Sequence, residues 1–352
     1  MKGKESGEKM IRNMKRGKNW TLILLSVLLV LSLLTACGQG SGGTGNTGES
    51  GGEGDAAPDK VKLGLSVANT FEFLPSYVAE DQGFFEKRNL DVEIISLAGD
   101  AKMQEAMAAG SIDMAMGSAA ATAIAANKGV PERVVAALDN SMRYFVVIVR
   151  NDITDVEQLK GKVLGVTSPN SSTDLAVRAL VEQQGWEEDA ITRLALGGFQ
   201  EQMAAFKTGQ TDGFVWTYDG ALTAEAEGLG RILLSVDEIM PEYIFESVIA
   251  QTKLIESNPD VVQRTLDAIF EAIRYMKDNK DYTVALFEEK MGFDQEIGAK
   301  VYDFIMPYMS LDGDWDDRNM QGVAESLVTQ GAVAEPPALE SFTDRQFVPV
   351  SN

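Results

Sequence analysis

Between residues 60 and 330 the chain alternates short apolar runs with stretches of helical periodicity, and it breaks that rhythm twice. The first set reads as strand 61–67, helix 75–87, strand 91–95, helix 102–109, strand 114–116, helix 119–127 and strand 134–138. Gly110 stands where the second of these helices must stop. Strands spaced by helices predict a mostly parallel sheet covered on both faces, since each parallel step needs a crossover long enough to hold a helix. At 144–149, six consecutive apolar residues lie between Arg143 and Arg150 with no helix before them. A second set follows: strand 163–166, helix 174–184, strand 191–196, helix 199–207, strand 213–216 and helix 220–227. A β-rich run at 243–250 is the second break, and 259–330 is nearly all helical. Two α/β units joined by two β-like crossings predict a two-lobed molecule hinged at the crossings. A structured body of about 290 residues suits two such lobes.

The two units share a weak repeat. Glu105-Ala106-Met107-Ala108-Ala109-Gly110-Ser111-Ile112-Asp113 is echoed by Met203-Ala204-Ala205-Phe206-Lys207-Thr208-Gly209-Gln210-Thr211-Asp212. Each is an Ala-rich helix ending in Gly, after which Asp opens a strand that leads to a polar loop. Any helix-to-strand junction favours Gly and Asp, so the plain alternative is coincidence. Matching positions would place the loops after 116 and 216 at equivalent strand ends.

The first eighteen residues carry seven basic side chains against Glu5 and Glu8, and an apolar run from Trp20 to Leu34 follows. Fifteen apolar residues fall short of the roughly 20 that span a bilayer, so a secretory signal is expected. Leu34-Thr35-Ala36-Cys37 resembles the bacterial lipobox, and Cys37 is the chain's one cysteine. Residues 1–36 are thus expected to be a lipoprotein signal peptide, with Cys37 the lipidation site. Residues 37–59 form an acylated, Gly-rich tether, too polar to bury a core. Removing seven of 31 basic and two of 53 acidic residues leaves 24 and 51, a net charge of −27. That balance repels nucleic acid and anionic lipid. A single cysteine permits no internal disulfide. With no histidine in the chain, imidazole-based catalysis and histidine metal sites are excluded. No catalytic residue, cofactor or metal is expected.

The chain resembles ABC-transporter solute-binding proteins of the nitrate/sulfonate/taurine and thiamine-precursor group, the SsuA/THI5-like family. The resemblance covers roughly residues 60–348. It rests on Tyr77-Val78-Ala79-Glu80-Asp81-Gln82-Gly83-Phe84-Phe85, on Leu90-Asp91-Val92-Glu93 and on the Gly110-Ser111-Ile112-Asp113 turn. Leu159-Lys160-Gly161-Lys162-Val163-Leu164-Gly165-Val166, the turn at 209–212 with Trp216, and Phe342-Thr343-Asp344 complete it. It implies an α/β, type II periplasmic-binding-protein fold: two α/β lobes with a two-segment hinge, lobe 1 from 60–142 plus 250–352 and lobe 2 from 143–249. It also implies an extracytoplasmic substrate-binding subunit that captures a small organic solute between the lobes and hands it to a permease and its ATPase.

Ligands of open α/β sheets lie at the carboxyl ends of strands, which singles out four loops. After the first strand come Asn69, Thr70, Phe71 and Glu72, which in the family contribute to the solute site and otherwise cap the next helix. Ser118 precedes a helix whose free N–H groups suit an anion, and equally suits its N-cap. The hydroxyl-rich stretch 167–173 includes Ser171, Ser172 and Thr173, suited to sulfonate, carboxylate or phosphate oxygens or to ordinary capping. Trp216, Tyr218 and Asp219 occupy the matching loop. Trp216 matches an aromatic of the family, whereas Tyr218 stands where the family often has proline. Arg143 and Glu246 lie at the crossings, positioned to meet an anion or an amine, or to form ordinary ion pairs. Glu72, Asp219 and Glu246 leave room for an amine-bearing or zwitterionic solute.

The expected protein is therefore a monomeric receptor for an aliphatic sulfonate or taurine-like compound, lipid-anchored outside the cell membrane at a Gram-positive surface. The rivals are a pyrimidine-precursor (thiamine-type) binding or synthase protein of the same fold, and a sensory solute receptor. The family's yeast synthases depend on an active-site histidine and a cysteine-rich motif, and this chain has neither.

Overall fold

A computed structural model describes residues 57–68, 70–329 and 331–351. The expected signal peptide, Cys37, most of the tether, and Asn69 lie outside the described residues. Two five-stranded sheets form the cores of two α/β lobes. The first contains β1 (Asp59–Leu65), β2 (Leu90–Ser96), β3 (Met114–Ser118), β4 (Glu132–Ala137) and β10 (Glu246–Gln251), in the order β2-β1-β3-β10-β4. The second contains β5 (Phe145–Arg150), β6 (Val163–Val166), β7 (Thr192–Ala195), β8 (Gly213–Thr217) and β9 (Gly230–Ser235), in the order β7-β6-β8-β5-β9.

The order is the same twice over. β1 pairs in parallel with β2 and β3, as β6 does with β7 and β8. β10 is antiparallel to both β3 and β4, and β5 to both β8 and β9. The two runs that broke the sequence rhythm are thus the antiparallel strands, one leaving the first lobe and one returning to it. β10 belongs to the first sheet from Glu246 onward.

The helices covering these sheets are α1 (Leu74–Asp81), α2 (Asp100–Ala108), α3 (Ala119–Asn127), α4 (Ser172–Gln183), α5 (Phe199–Thr208) and α6 (Tyr218–Ala226). Six more follow: α7 (Thr252–Ser257), α8 (Pro259–Asp278), α9 (Lys280–Met291), α10 (Gln295–Ile305), α11 (Asp317–Thr329) and α12 (Leu339–Phe342). α8 shows why the tail is helical: Pro259 opens it, and Val262, Leu266, Ile269, Phe270 and Ile273 recur on one buried face. The helix expected over 75–87 stops at Asp81, because the chain turns at Gly83 with φ +65°. Among the described residues no helix is long and apolar enough to cross a membrane.

The repeat read from sequence has a structural cause. Asp113 Oδ2 accepts the Lys62 N–H at 2.8 Å, and Asp212 Oδ2 accepts the Val163 N–H at 2.9 Å. Each aspartate ties the start of a central strand to the neighbouring one, β1 in one lobe and β6 in the other. Gly110 and Gly209 precede them at φ +66° and +79°. The hinge is stapled by Asp139, whose two carboxylate oxygens accept the Phe245 and Glu246 N–H groups at 3.2 Å each. Phe145 and Phe245, at the two crossings, stack with centroids 3.5 Å apart.

Candidate functional site

The carboxyl ends of β1, β3, β6 and β8 converge with the starts of β5 and β10. They enclose a cavity of ≈ 30 Å³. Ser66, Val67 and Thr70 come from the loop after β1, Thr167 from the loop after β6, Ser172 and Thr173 from the start of α4, and Trp216 and Thr217 from the end of β8. Phe145, Phe245 and Glu246 close it at the hinge, and Gly99 and Asp100 at the start of α2. A space this small takes little more than water. Asp100 and Ser171 also border a groove of ≈ 290 Å³ between α2, α3 and the 168–171 loop.

Of the residues expected in the site, Thr70, Ser172, Thr173 and Trp216 line the cavity. Ser118 is the N-cap of α3: its Oγ accepts the Ala121 N–H at 3.2 Å and is hydrogen-bonded to Ser172 Oγ across the two lobes. Ser171 caps α4, accepting the Asp174 N–H at 3.3 Å and donating to Ser168 O at 2.8 Å. Thr173 Oγ1 lies 3.0 Å from Thr167 Oγ1 and 2.9 Å from Ser171 Oγ. The hydroxyl-rich loop therefore satisfies much of its own hydrogen bonding.

Of the remaining residues, all but Glu246 lie off the cavity wall. Glu72 and Asp219 are fully buried. Phe71 is in the core, edge-on to Phe287 at 5.2 Å. Tyr218 stacks on Phe304 at 4.1 Å. Arg143 is exposed, with its guanidinium 5.6 Å from the Tyr308 ring centre. Neither Arg143 nor Glu246 forms an ion pair among the described residues. Glu246 instead faces the cavity, 4 % exposed.

The electrostatics are one-sided. Among the described residues the fully buried charged side chains are seven acids, with no lysine or arginine. Asp174 has Arg178 and Arg193 at 3.1 and 2.9 Å. Five of the others, Glu72, Asp100, Asp139, Asp219 and Glu246, gather around the cleft. Burial raises Asp100 and Asp219 from the ordinary 3.8 to about 6, against hydrogen bonds that favour their charged forms. The Asp100 carboxylate accepts the Ser118 and Ser172 N–H groups, and Asp219 Oδ1 accepts the Tyr144 hydroxyl at 2.7 Å. Burial, then repulsion from Asp139, Glu246 and Asp219, pushes Glu72 well above the carboxylate range, and Glu72 shares a hydrogen bond with Asp139. Glu246 is pushed up as well, by burial and then by Asp100 and Asp139.

Thr70 Oγ1, Trp216 Nε1 and Glu246 Oε2 are among the cavity-wall atoms that have no hydrogen-bond partner among the described residues. Buried polar atoms are normally satisfied, so these three leave bonding capacity open in the cavity wall. Reading the sequence missed Asp100, Asp139, Tyr144, Phe145 and Phe245. The one available signal was position, since the two phenylalanines lie near the starts of the two crossing runs.

Residues 70–282, more than half of the chain, match the family described as NMT1/THI5 like. The chain belongs to the NMT1/THI5-like family. It is 26 % identical over 238 residues to a putative binding protein, YtlA, of Bacillus subtilis, a match covering 65 % of this chain and 70 % of that protein. A shorter match, 35 % identical over 110 residues, is to a putative thiamine biosynthesis protein of Haemophilus influenzae, covering 31 % of this chain and 35 % of that one. Among solved structures, the alkanesulfonate-binding protein SsuA of Xanthomonas axonopodis superposes with TM-score 0.72 at 15 % identity, covering 82 % of this chain and 99 % of that one. The fold is that of the periplasmic binding proteins.

Proposed function

We propose that this chain is the extracytoplasmic substrate-binding subunit of an ABC importer, which captures a small organic solute between its lobes and delivers it to a permease. The observation that carries this reading is the cavity itself. It lies where facing strand ends meet, it is walled from both lobes and the hinge, and it holds unpartnered Thr70, Trp216 and Glu246 atoms. Ligand contacts to both lobes favour the closed state, which is how a receptor of this shape reports occupancy. Thr70, Ser172, Thr173 and Trp216 are assigned direct contact. Ser118, Ser171, Glu72 and Asp219 are assigned support of that surface. Cys37 is assigned the lipid anchor and 38–55 the tether that keeps a monomeric receptor near its permease.

For the solute, the cleft disfavours the aliphatic sulfonate first expected. The helix ends at Ser118 and Ser172, which would meet a sulfonate, already point N–H groups at the Asp100 carboxylate. A taurine-like solute keeps support only through its ammonium. The carboxylates and the Trp216 ring also favour a second reading, an aminopyrimidine of the thiamine-precursor type bound without chemistry. Thermal melts of the full chain with sulfonates, taurine, nitrate, pyrimidines and riboflavin test the receptor reading. A binding solute at roughly a hundredfold excess over its Kd is expected to raise the melting temperature by about 5 °C or more. No rise with any small solute would refute a receptor role.

A further inference from the structure

The acids around the cleft divide by what they do for the fold. Asp139 staples the hinge through two backbone N–H groups, and Asp100 holds two helix ends. Those duties account for their burial. Asp219 likewise holds the Tyr144 hydroxyl and the start of α6. Such duties do not account for Glu246, whose Oε2 is buried in the cavity wall without a partner. Among the described residues no lysine or arginine is a leading influence on Glu72, Asp100, Asp139, Asp219 or Glu246. A buried carboxylate with acidic neighbours and no counter-charge is a costly arrangement for a purely structural residue.

An acidic cluster alone is no site, but two further observations point to a ligand here. Trp216 Nε1 and Thr70 Oγ1, 3 % and 1 % exposed, have no partner in the same wall. Phe145, Phe245 and Trp216 give that wall aromatic surface, which attracts cations through the ring quadrupole. No group of three acidic, histidine or cysteine residues among those described is arranged to hold a metal ion. We infer, given the receptor reading on which this rests, that the solute is an organic cation, its protonated nitrogen directed at Glu246 and its apolar part against the aromatic wall. Asp100 and Asp139, the carboxylates that act on Glu246, add to the negative field there. An anion would enter with no basic residue to meet it and several acids to oppose it.

The test compares charge classes on the full chain at neutral pH: choline, putrescine, agmatine and thiamine against ethanesulfonate, taurine and nitrate, by thermal melt and calorimetric titration. At least one cation is expected to bind, and Glu246→Gln to weaken it roughly 30-fold or more. The same variant is expected to melt higher than wild type without solute, because it removes a carboxyl that burial and acidic neighbours disfavour at neutral pH. A merely structural glutamate would show the opposite sign. Glu246→Met gives a second variant, with the same pair of expectations, should Glu246→Gln fail to fold. Binding by ethanesulfonate or nitrate with the cations inert would overturn the inference and leave the receptor reading standing. Silence from every compound would overturn it too. Native mass spectrometry of the protein from its own cells then judges the receptor reading separately, which fails if no small molecule accompanies the chain.

Discussion

Asp219 and Asp100 shift in a direction that fixes how the unliganded protein responds to pH. In an unfolded chain their carboxyls titrate near 3.8, and in the fold near 6, because burial disfavours the charged form. Folding therefore favours protonation. The stability these groups contribute is complete below about pH 4 and is lost as pH rises through about 6, on the order of a few kcal/mol per group. Glu72 and Glu246, pushed up further by burial and then by neighbouring carboxylates, Asp139 first for Glu72 and Asp100 first for Glu246, extend the loss to higher pH. Tyr144, whose hydroxyl donates to Asp219, stays protonated throughout, since burial beside that carboxylate pushes it up as well. Asp219→Asn is accordingly expected to gain on wild type as pH rises through about 6, measured by urea unfolding without solute. A gap independent of pH would contradict the electrostatic account. At this scale Thr70, Ser172, Thr173 and Trp216 were legible, because polar and aromatic side chains at strand ends have few structural uses. Asp100 was not, since an acid after Gly99 at the start of a helix is ordinary locally, and its partners Ser118 and Ser172 arrive from two other loops. Phe71 misled for the converse reason: Phe287, which covers it, lies far along the chain.

α6 sets the Trp216 ring in place by bringing Gly220 close beneath it. A methyl group at Gly220 would stand 2.5 Å from Trp216 Cδ1 and 2.8 Å from Phe199 Cε2. Gly220→Ala must therefore push the indole out of its packing, a clash costing about 1–3 kcal/mol. Solute affinity is expected to fall roughly tenfold by calorimetry, with Trp216 fluorescence shifted in the unliganded protein. Unchanged affinity would mean that the indole does not touch solute. The strong periodic elements were legible, and so was the repeat, whose two aspartates make equivalent hydrogen bonds in the two lobes. β9 was not, because its residues 230–235 form an edge strand only partly buried, with Arg231 exposed, and lack a clean alternation.

Across the whole molecule, two lobes and a two-segment hinge followed from where the strand-helix rhythm broke, since only those two runs had no helix to make them parallel. What no local pattern carried was the closure of the lobes on each other, which depends on contacts such as Ser118 Oγ with Ser172 Oγ. That contact gives the most direct test of the central claim, that solute binds between the lobes and that they must part to admit it. In the full chain carrying Cys37→Ser, Ser118→Cys with Ser172→Cys leaves only the new pair, placed to form a disulfide across the cleft. Oxidation before solute is added should abolish binding of whichever compound most stabilises the wild type, and reduction should restore it. Equal affinity in the oxidised and reduced forms would contradict the account.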